Sequence, residues 1–253
     1  MLLRDLHYDK LAHHDFAWLE KKHPNDLNQI KNYARLTAEI MPRLLATLRD
    51  TITDLNRSPA TPLAFVLQVG DLVEGLCGNE GLATRQNTEA LAYVRDARLG
   101  VSFVFVKGNH DITGDGASAA FASVFPPFLT EQARALTPAT DEICSARSTV
   151  CTGHAEFAFF DAYDRESPDW FEAVAARRTA EHFFAIVHPP SSPPAPGPRG
   201  INSPRKKTGR NATNSSTSSA ASAPSSSAAT FTAATPSPAP PRAAASPNSP
   251  SAV

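Results

Sequence analysis

The run Val101-Ser102-Phe103-Val104-Phe105-Val106, followed after Lys107 by Gly108-Asn109-His110-Asp111, sets the architecture of this chain. Five apolar, β-branched or aromatic positions and one serine predict a buried strand. In an open α/β sheet, ligands bind in the crevice beyond the carboxyl ends of the strands. The tetrad supplies that position with a glycine for a sharp turn, a neutral oxygen ligand, an imidazole and a carboxylate.

Three more stretches read as strands that end on polar, chemistry-bearing residues. Residues 63–69 run into Gly70-Asp71, residues 155–160 into Asp161, and residues 182–187 into His188. Met1 to Arg4 is too short for a full strand and leads directly into Asp5-Leu6-His7. Between the strands, apolar spacings of three and four predict helices. One covers 27–55, with a kink or break near Met41 imposed by Pro42, and another covers about 82–98. Residues 117–136 read as two short helical pieces broken at Pro126-Pro127. Ser167 reads as the cap of a last helix, with Pro168 at its first position and Trp170 and Phe171 in the core. Residues 9–26 read as a polar excursion in which Pro24 precludes a helix. His13 and His14 there either touch substrate or, the favoured reading, are solvated. Alternating strands and helices predict the α/β class, with a largely parallel or mixed sheet covered on both faces.

Composition divides the chain of 253 residues. From Pro189 onward there are six basic and no acidic residues, which turns the overall charge of −1 into −7 for residues 1–188. Residues 1–190 form the expected globular domain. Residues 191–253, rich in Ser, Ala and Pro, cannot bury enough apolar surface to order themselves and are expected to be a disordered basic tail. The acidic domain argues against a general nucleic-acid surface. Arg205-Lys206-Lys207 with Arg210 reads as solvated charge rather than a contact for an acidic partner. Cys77, Cys144 and Cys151 lack zinc-site spacing and read as reduced, mostly buried thiols. No stretch reaches the ~20 apolar residues that span a membrane. Met1-Leu2-Leu3-Arg4-Asp5 lacks the apolar core of a signal peptide, so cytoplasmic is the default expectation. Oligomeric state stays open.

Collected at the strand ends are Asp5, His7, Asp71, Asn109, His110, Asp111 and His188. Hard oxygen and imidazole donors of this kind suit Mn, Fe or Zn. Asp71 is placed to bridge two divalent ions, as shared carboxylates do in two-metal sites. Asp5 and His7, two residues apart on extended chain, face the same way and hold one ion, and Asn109 and His188 hold the other. Each motif also has a structural reading: Asp71 as a cap, Asn109-His110-Asp111 as a loop, Asp-x-His as chance, His188 as a strand-end cap. Their joint occurrence at successive strand ends favours the metal reading.

Asp5-Leu6-His7, Gly70-Asp71, Gly108-Asn109-His110-Asp111 and His188-Pro189-Pro190, in that order, resemble the motifs of the calcineurin-like metallophosphoesterases over about residues 1–190. The resemblance implies a four-layer α/β/β/α sandwich. It also implies two metal ions, one on Asp5, His7 and Asp71 and one on Asp71, Asn109 and His188. The implied reaction is hydrolysis of a phosphate monoester or diester, on a phosphorylated small molecule or a phosphodiester, by hydroxide activated between the metals. By the same resemblance His110 acts on the leaving group and Asp111 orients its imidazole. The family's Gly-His-x-His, one ligand to each metal, does not follow His188. Gly153-His154-Ala155-Glu156 precedes a strand and offers Glu for the second His, so it is rejected. With a clipped first strand and a change of composition at Pro189, the family's C-terminal half-sheet is expected to be incomplete, its place taken by an out-of-frame or substituted tail. The alternative expectation is a catalytically inactive relative that binds only metal or a partner.

Overall fold

The computed structural model describes residues 1–188, except Pro59, Thr61, Ala139, Asp141, Glu142 and Cys144, together with the backbone of Thr232 and Ala233. Cys144 and the expected disordered tail, 191–253, lie outside the described residues apart from that dipeptide.

Strands β1 (Leu2–Leu3), β2 (Phe65–Gln68) and β3 (Ser102–Phe105) form a parallel sheet in the order β1-β2-β3. All four residues of β2 are buried, as a central parallel strand requires. A second, mixed sheet contains β4 (Ser148–Thr152), β5 (Ala155–Phe160), β6 (His182–Val187) and β7 (Thr232–Ala233). Here β4 and β7 run antiparallel to their neighbours, whereas β5 and β6 are parallel. The one sheet that the alternation of strands and helices predicts is therefore two. Strand β4 was not foreseen, because Ser-Thr-Val-Cys-Thr carries one strongly apolar side chain, Val150, which points into the core while Cys151 is exposed. That exposure corrects the expectation of buried cysteines, although Cys77 is buried and its thiol is pushed up to about 12 by burial.

The period-two pattern of β5 and β6 sorts their two faces. Phe157, Phe159, Phe184 and Ile186 turn towards the core shared with β2 and β3, where Phe157 meets Phe65 edge to face at 5.1 Å. Ala158 and Phe183 turn the other way, onto Val174 of α6 (Ser167–Arg177). Trp170 and Phe171 are half-buried in this outer cluster rather than in the main core. Ser167 is not the cap of α6. Glu166 holds that position, so Pro168 stands at the second helical position rather than the first, still within the first turn.

Helices α2 (Leu27–Glu39) and α3 (Met41–Leu55) break at Ile40, since Pro42 in the first turn of α3 gives up an N–H that has no helical partner anyway. Helix α4 is Glu80–Asp96. Helix α5 (Ala117–Leu136) runs unbroken through Pro126 and Pro127, against the two expected pieces. Phe121, Phe125, Phe128 and Leu129 straddle the prolines and all enter the core. Burial of about 1.5–3 kcal/mol per such side chain offsets the ~3 kcal/mol that each internal proline costs. The polar excursion is also corrected. Helix α1 (Phe16–Lys22), capped by the Asp15 carboxylate accepting from Trp18 N at 3.0 Å, ends before Pro24 and buries Leu19 against Ile30 and Leu76. Among the described residues, no helix is long and apolar enough to cross a membrane.

Candidate metal centre

The chain beyond β1 continues alongside the chain beyond β2. His7 N donates to Asp71 O at 3.0 Å, Tyr8 N to Leu72 O at 2.8 Å, and Tyr8 bridges Val73. This carries Asp5 and His7 to Asp71. All three hold left-handed backbone, with φ of 43°, 46° and 56°. Such strain persists where surrounding structure enforces it, and it clusters at functional sites.

Two glycines let the strand ends close up. A Cβ on Gly70, itself at φ 101°, would lie 2.3 Å from Nδ1 of His188, and one on Gly108 would lie 2.1 Å from Oδ1 of Asp71. The His188 ring is fixed by Val69 O, 2.7 Å from Nδ1, which leaves Nε2 3.1 Å from Asn109 Oδ1 and 3.3 Å from Asp71 Oδ2. The other Asp71 oxygen accepts from His110 N at 2.9 Å.

The expected ligands thus meet, with a different grouping. Potential ligand atoms of Asp5, Asp71 and His188 lie within 4.8 Å of one another, and so do those of His7, Glu74 and His110. His7 Nε2 is 4.0 Å from Asp71, whereas its Nδ1 faces Glu74 Oε2 at 2.8 Å, outside hydrogen-bond geometry. Glu74 is the functional candidate that the motif reading passed over. Its signal was present in Gly70-Asp71-Leu72-Val73-Glu74-Gly75, a short glycine-bounded loop with a carboxylate at each end.

His110 is half-buried. Its Nδ1 lies 2.9 Å from Glu74 O and 3.5 Å from Glu74 Oε2, and its ring meets that of His7 edge to face at 4.6 Å. Asp111 does not orient this imidazole, contrary to expectation. Its two oxygens accept from Val73 N at 3.1 Å and Gly108 N at 2.7 Å, so it ties the Gly108 turn to the Asp71 loop. The buried carboxylate and the two backbone N–H groups thereby satisfy one another out of water.

The protonation pattern follows from crowding carboxylates and imidazoles out of water. Burial raises Glu74 to about 8 and Asp111 to about 7, the latter helped by the Asp71 charge. Burial also acts to raise Asp71, but the His188 hydrogen bond and the nearby His110 and His188 charges win, holding its carboxyl below the usual range. His7 is lowered by burial, against the pull of Asp71 and Asp5. His188, which burial would lower, is raised by its contact with Asp71.

Asp5 Oδ1, His7 Nδ1 and Glu74 Oε2 are buried and, among the described residues, have no hydrogen-bond partner. Hard oxygen and imidazole atoms left unpaired in one crevice fit divalent cations. Asp5, His7, Asp71, Asn109, Glu74 and His188 are the residues that could hold them.

His13 and His14 are buried rather than solvated, and their ring nitrogens are taken up by other partners. His14 sits between Asp9 Oδ1 at 2.7 Å and Leu76 O at 3.1 Å, and His13 Nε2 is 3.0 Å from Glu89. His154 lies in the β4–β5 turn, highly exposed, at the start of β5 and therefore at the sheet end away from His188. Its rejection as a ligand stands. Asp161 is a buried node, accepting from Lys107 Nζ at 2.5 Å and Tyr163 N at 3.0 Å. Set against known proteins, the chain matches no family model and no curated protein sequence.

Proposed function

We propose that this chain is a metal-dependent phosphoesterase of the calcineurin-like type, hydrolysing a phosphate monoester or diester. The observation that carries the reading is the convergence of Asp71, Asn109 and His188 from three strand ends, with Asp5 and His7 alongside. Helices α3 to α5, two facing sheets and α6 on the outer side support the four-layer sandwich that the motifs imply.

Asp71 would be shared between two divalent ions, with Asn109 and His188 on one side and Asp5 and His7 on the other. Bound there, the ions would supply Lewis acidity and a water acidic enough to attack near neutral pH. His110 handles the leaving oxygen. Its Nδ1–H donates to the Glu74 carbonyl, which fixes the tautomer and leaves Nε2 as the atom that gains and gives up a proton. Asp111 holds the Gly108 turn so that Asn109 and His110 keep their positions. The Asp71 carboxyl, ionised through its histidine neighbours, is ready to bind cations without first losing a proton.

The second reading is metal binding without turnover. It is favoured by the absence of a Gly-His-x-His after His188, since even losing contacts behind the ligands commonly costs 10–100-fold in affinity or activity. Hydrolysis of bis(p-nitrophenyl) phosphate and p-nitrophenyl phosphate by the full chain with Mn²⁺, against Asp71→Asn, separates the two. Turnover that Asp71→Asn abolishes supports the esterase. Mn²⁺ uptake without turnover above that variant supports the second reading.

A further inference from the structure

Phe160 of β5 pairs in parallel with Val187 of β6, so Asp161 and His188 leave the sheet side by side at the same end. Asp161 then fixes the turn that follows. Its carboxylate accepts from Tyr163 N, Lys107 Nζ and Ala146 N, and its carbonyl accepts from Asp164 N at 3.3 Å. On this turn the phenol oxygen of Tyr163 is buried and, among the described residues, has no hydrogen-bond partner. The turn therefore carries a hydroxyl out of water without giving it an acceptor. Unpartnered buried polar atoms are uncommon and call for a reason.

The surroundings define what is missing. Burial first, then the charges of Asp71, Asp111 and Asp161, push the phenol well above its ordinary range, so it keeps its proton and acts as a donor. Those carboxyl oxygens are already engaged. Asp71 is used by His188 and His110 N, and Asp111 by two backbone N–H groups. Lys107, the cation on the neighbouring strand end, is committed to Asp161. A neutral donor two residues beyond Asp161, on the turn that leaves the sheet beside His188, suits an oxygen that arrives with the ligand.

We propose that Tyr163 is a substrate-binding residue, whose hydroxyl donates a hydrogen bond to a non-bridging oxygen of the phosphoryl group held at Asp71, Asn109 and His188. The proposal rests on the phosphoesterase reading above and adds a residue that the motifs do not contain. A hydrogen bond from a neutral donor to an anionic oxygen corresponds to about tenfold in affinity.

The test compares wild type with Tyr163→Phe by calorimetry, titrating Mn²⁺ into the metal-free protein and then inorganic phosphate into the Mn²⁺-saturated protein, with Tm of the metal-free proteins alongside. The expected result is about tenfold weaker phosphate binding, with Mn²⁺ affinity and Tm unchanged. Equal phosphate affinity in the two proteins overturns the role of Tyr163 alone. A fall in Tm with phosphate affinity intact also overturns it, because the hydroxyl then has a structural partner such as a buried water. A wild type that takes up Mn²⁺ but no phosphate fails earlier, and removes the phosphoesterase reading together with this proposal.

Discussion

Gly70 and His188 compete for the same space: a Cβ at position 70 would stand 2.3 Å from Nδ1 of the histidine ring and 2.8 Å from its Cβ. Gly70 also holds φ 101°, which L side chains rarely adopt. Gly70→Ala should therefore lower stability by about 2 kcal/mol or more and displace the His188 ring from Asp71. Urea unfolding gives the first effect and Mn²⁺ titration the second. An alanine variant with wild-type stability and metal affinity would show that His188 is not held against Gly70.

If the carboxylates and imidazoles around Asp71 bind divalent ions only when folded, the ions stabilise the fold by mass action. Mn²⁺ at a hundred times its Kd should add about 2.7 kcal/mol. Thermal scans should show Tm rising with Mn²⁺ and returning to its starting value with EDTA. Asp71→Asn should remove the shift. A shift that survives in Asp71→Asn would move the centre elsewhere.

His14 is buried between Asp9 and Leu76 O, and Asp9 is fully buried. His14→Ala removes one partner of a buried pair and should cost about 3 kcal/mol or more in chemical denaturation. An effect within 0.5 kcal/mol, the range of surface substitutions, would return His14 to the solvated role that its sequence context suggests.

Glu89 gives a pH signature at the other end of that network. Hydrogen bonds from Lys10 and Arg85, then His13, pull its carboxyl down to about 2. A depressed carboxyl contributes stability above its ordinary pKa and loses it as pH falls through the folded value. Relative to Glu89→Gln, the wild type should be about 1 kcal/mol more stable at pH 7. That margin should shrink from about pH 4.5 towards pH 2. A margin that stays constant over this window would mean that the three partners do not hold Glu89 in solution.

Pro127 is exposed within α5, so replacing it removes little packing. Pro127→Ala restores an N–H donor to the helix and should raise stability by about 1–3 kcal/mol. Pro126 is buried, and the same change there should gain less because packed surface is lost. Paired urea melts of the two variants test the order.

The sequence by itself determined the elements whose cause is local. Alternation and β-branching placed β2, β3, β5 and β6, and Pro42 placed the break between α2 and α3. Gly70-Asp71 and Gly108-Asn109-His110-Asp111 marked two of the strand ends. It also named the residues that meet at the crevice, because Asp71, Asn109 and His188 each follow an apolar run and must emerge at a strand's carboxyl end. Tertiary structure decided what depends on distant partners. It kept α5 whole through two prolines, since four core side chains straddle them. It split the strands into two sheets, a pairing choice that periodicity does not encode. It buried His13 and His14, which in sequence stand among charges, because Asp9, Glu89 and Leu76 O meet them from other segments. It turned His7 towards Glu74, gave Asp111 to the backbone of the Gly108 turn and left the Tyr163 hydroxyl without an acceptor among the described residues. Hydrogen-bond partners of buried polar groups are set by which segments pack together, so residue type alone cannot assign them.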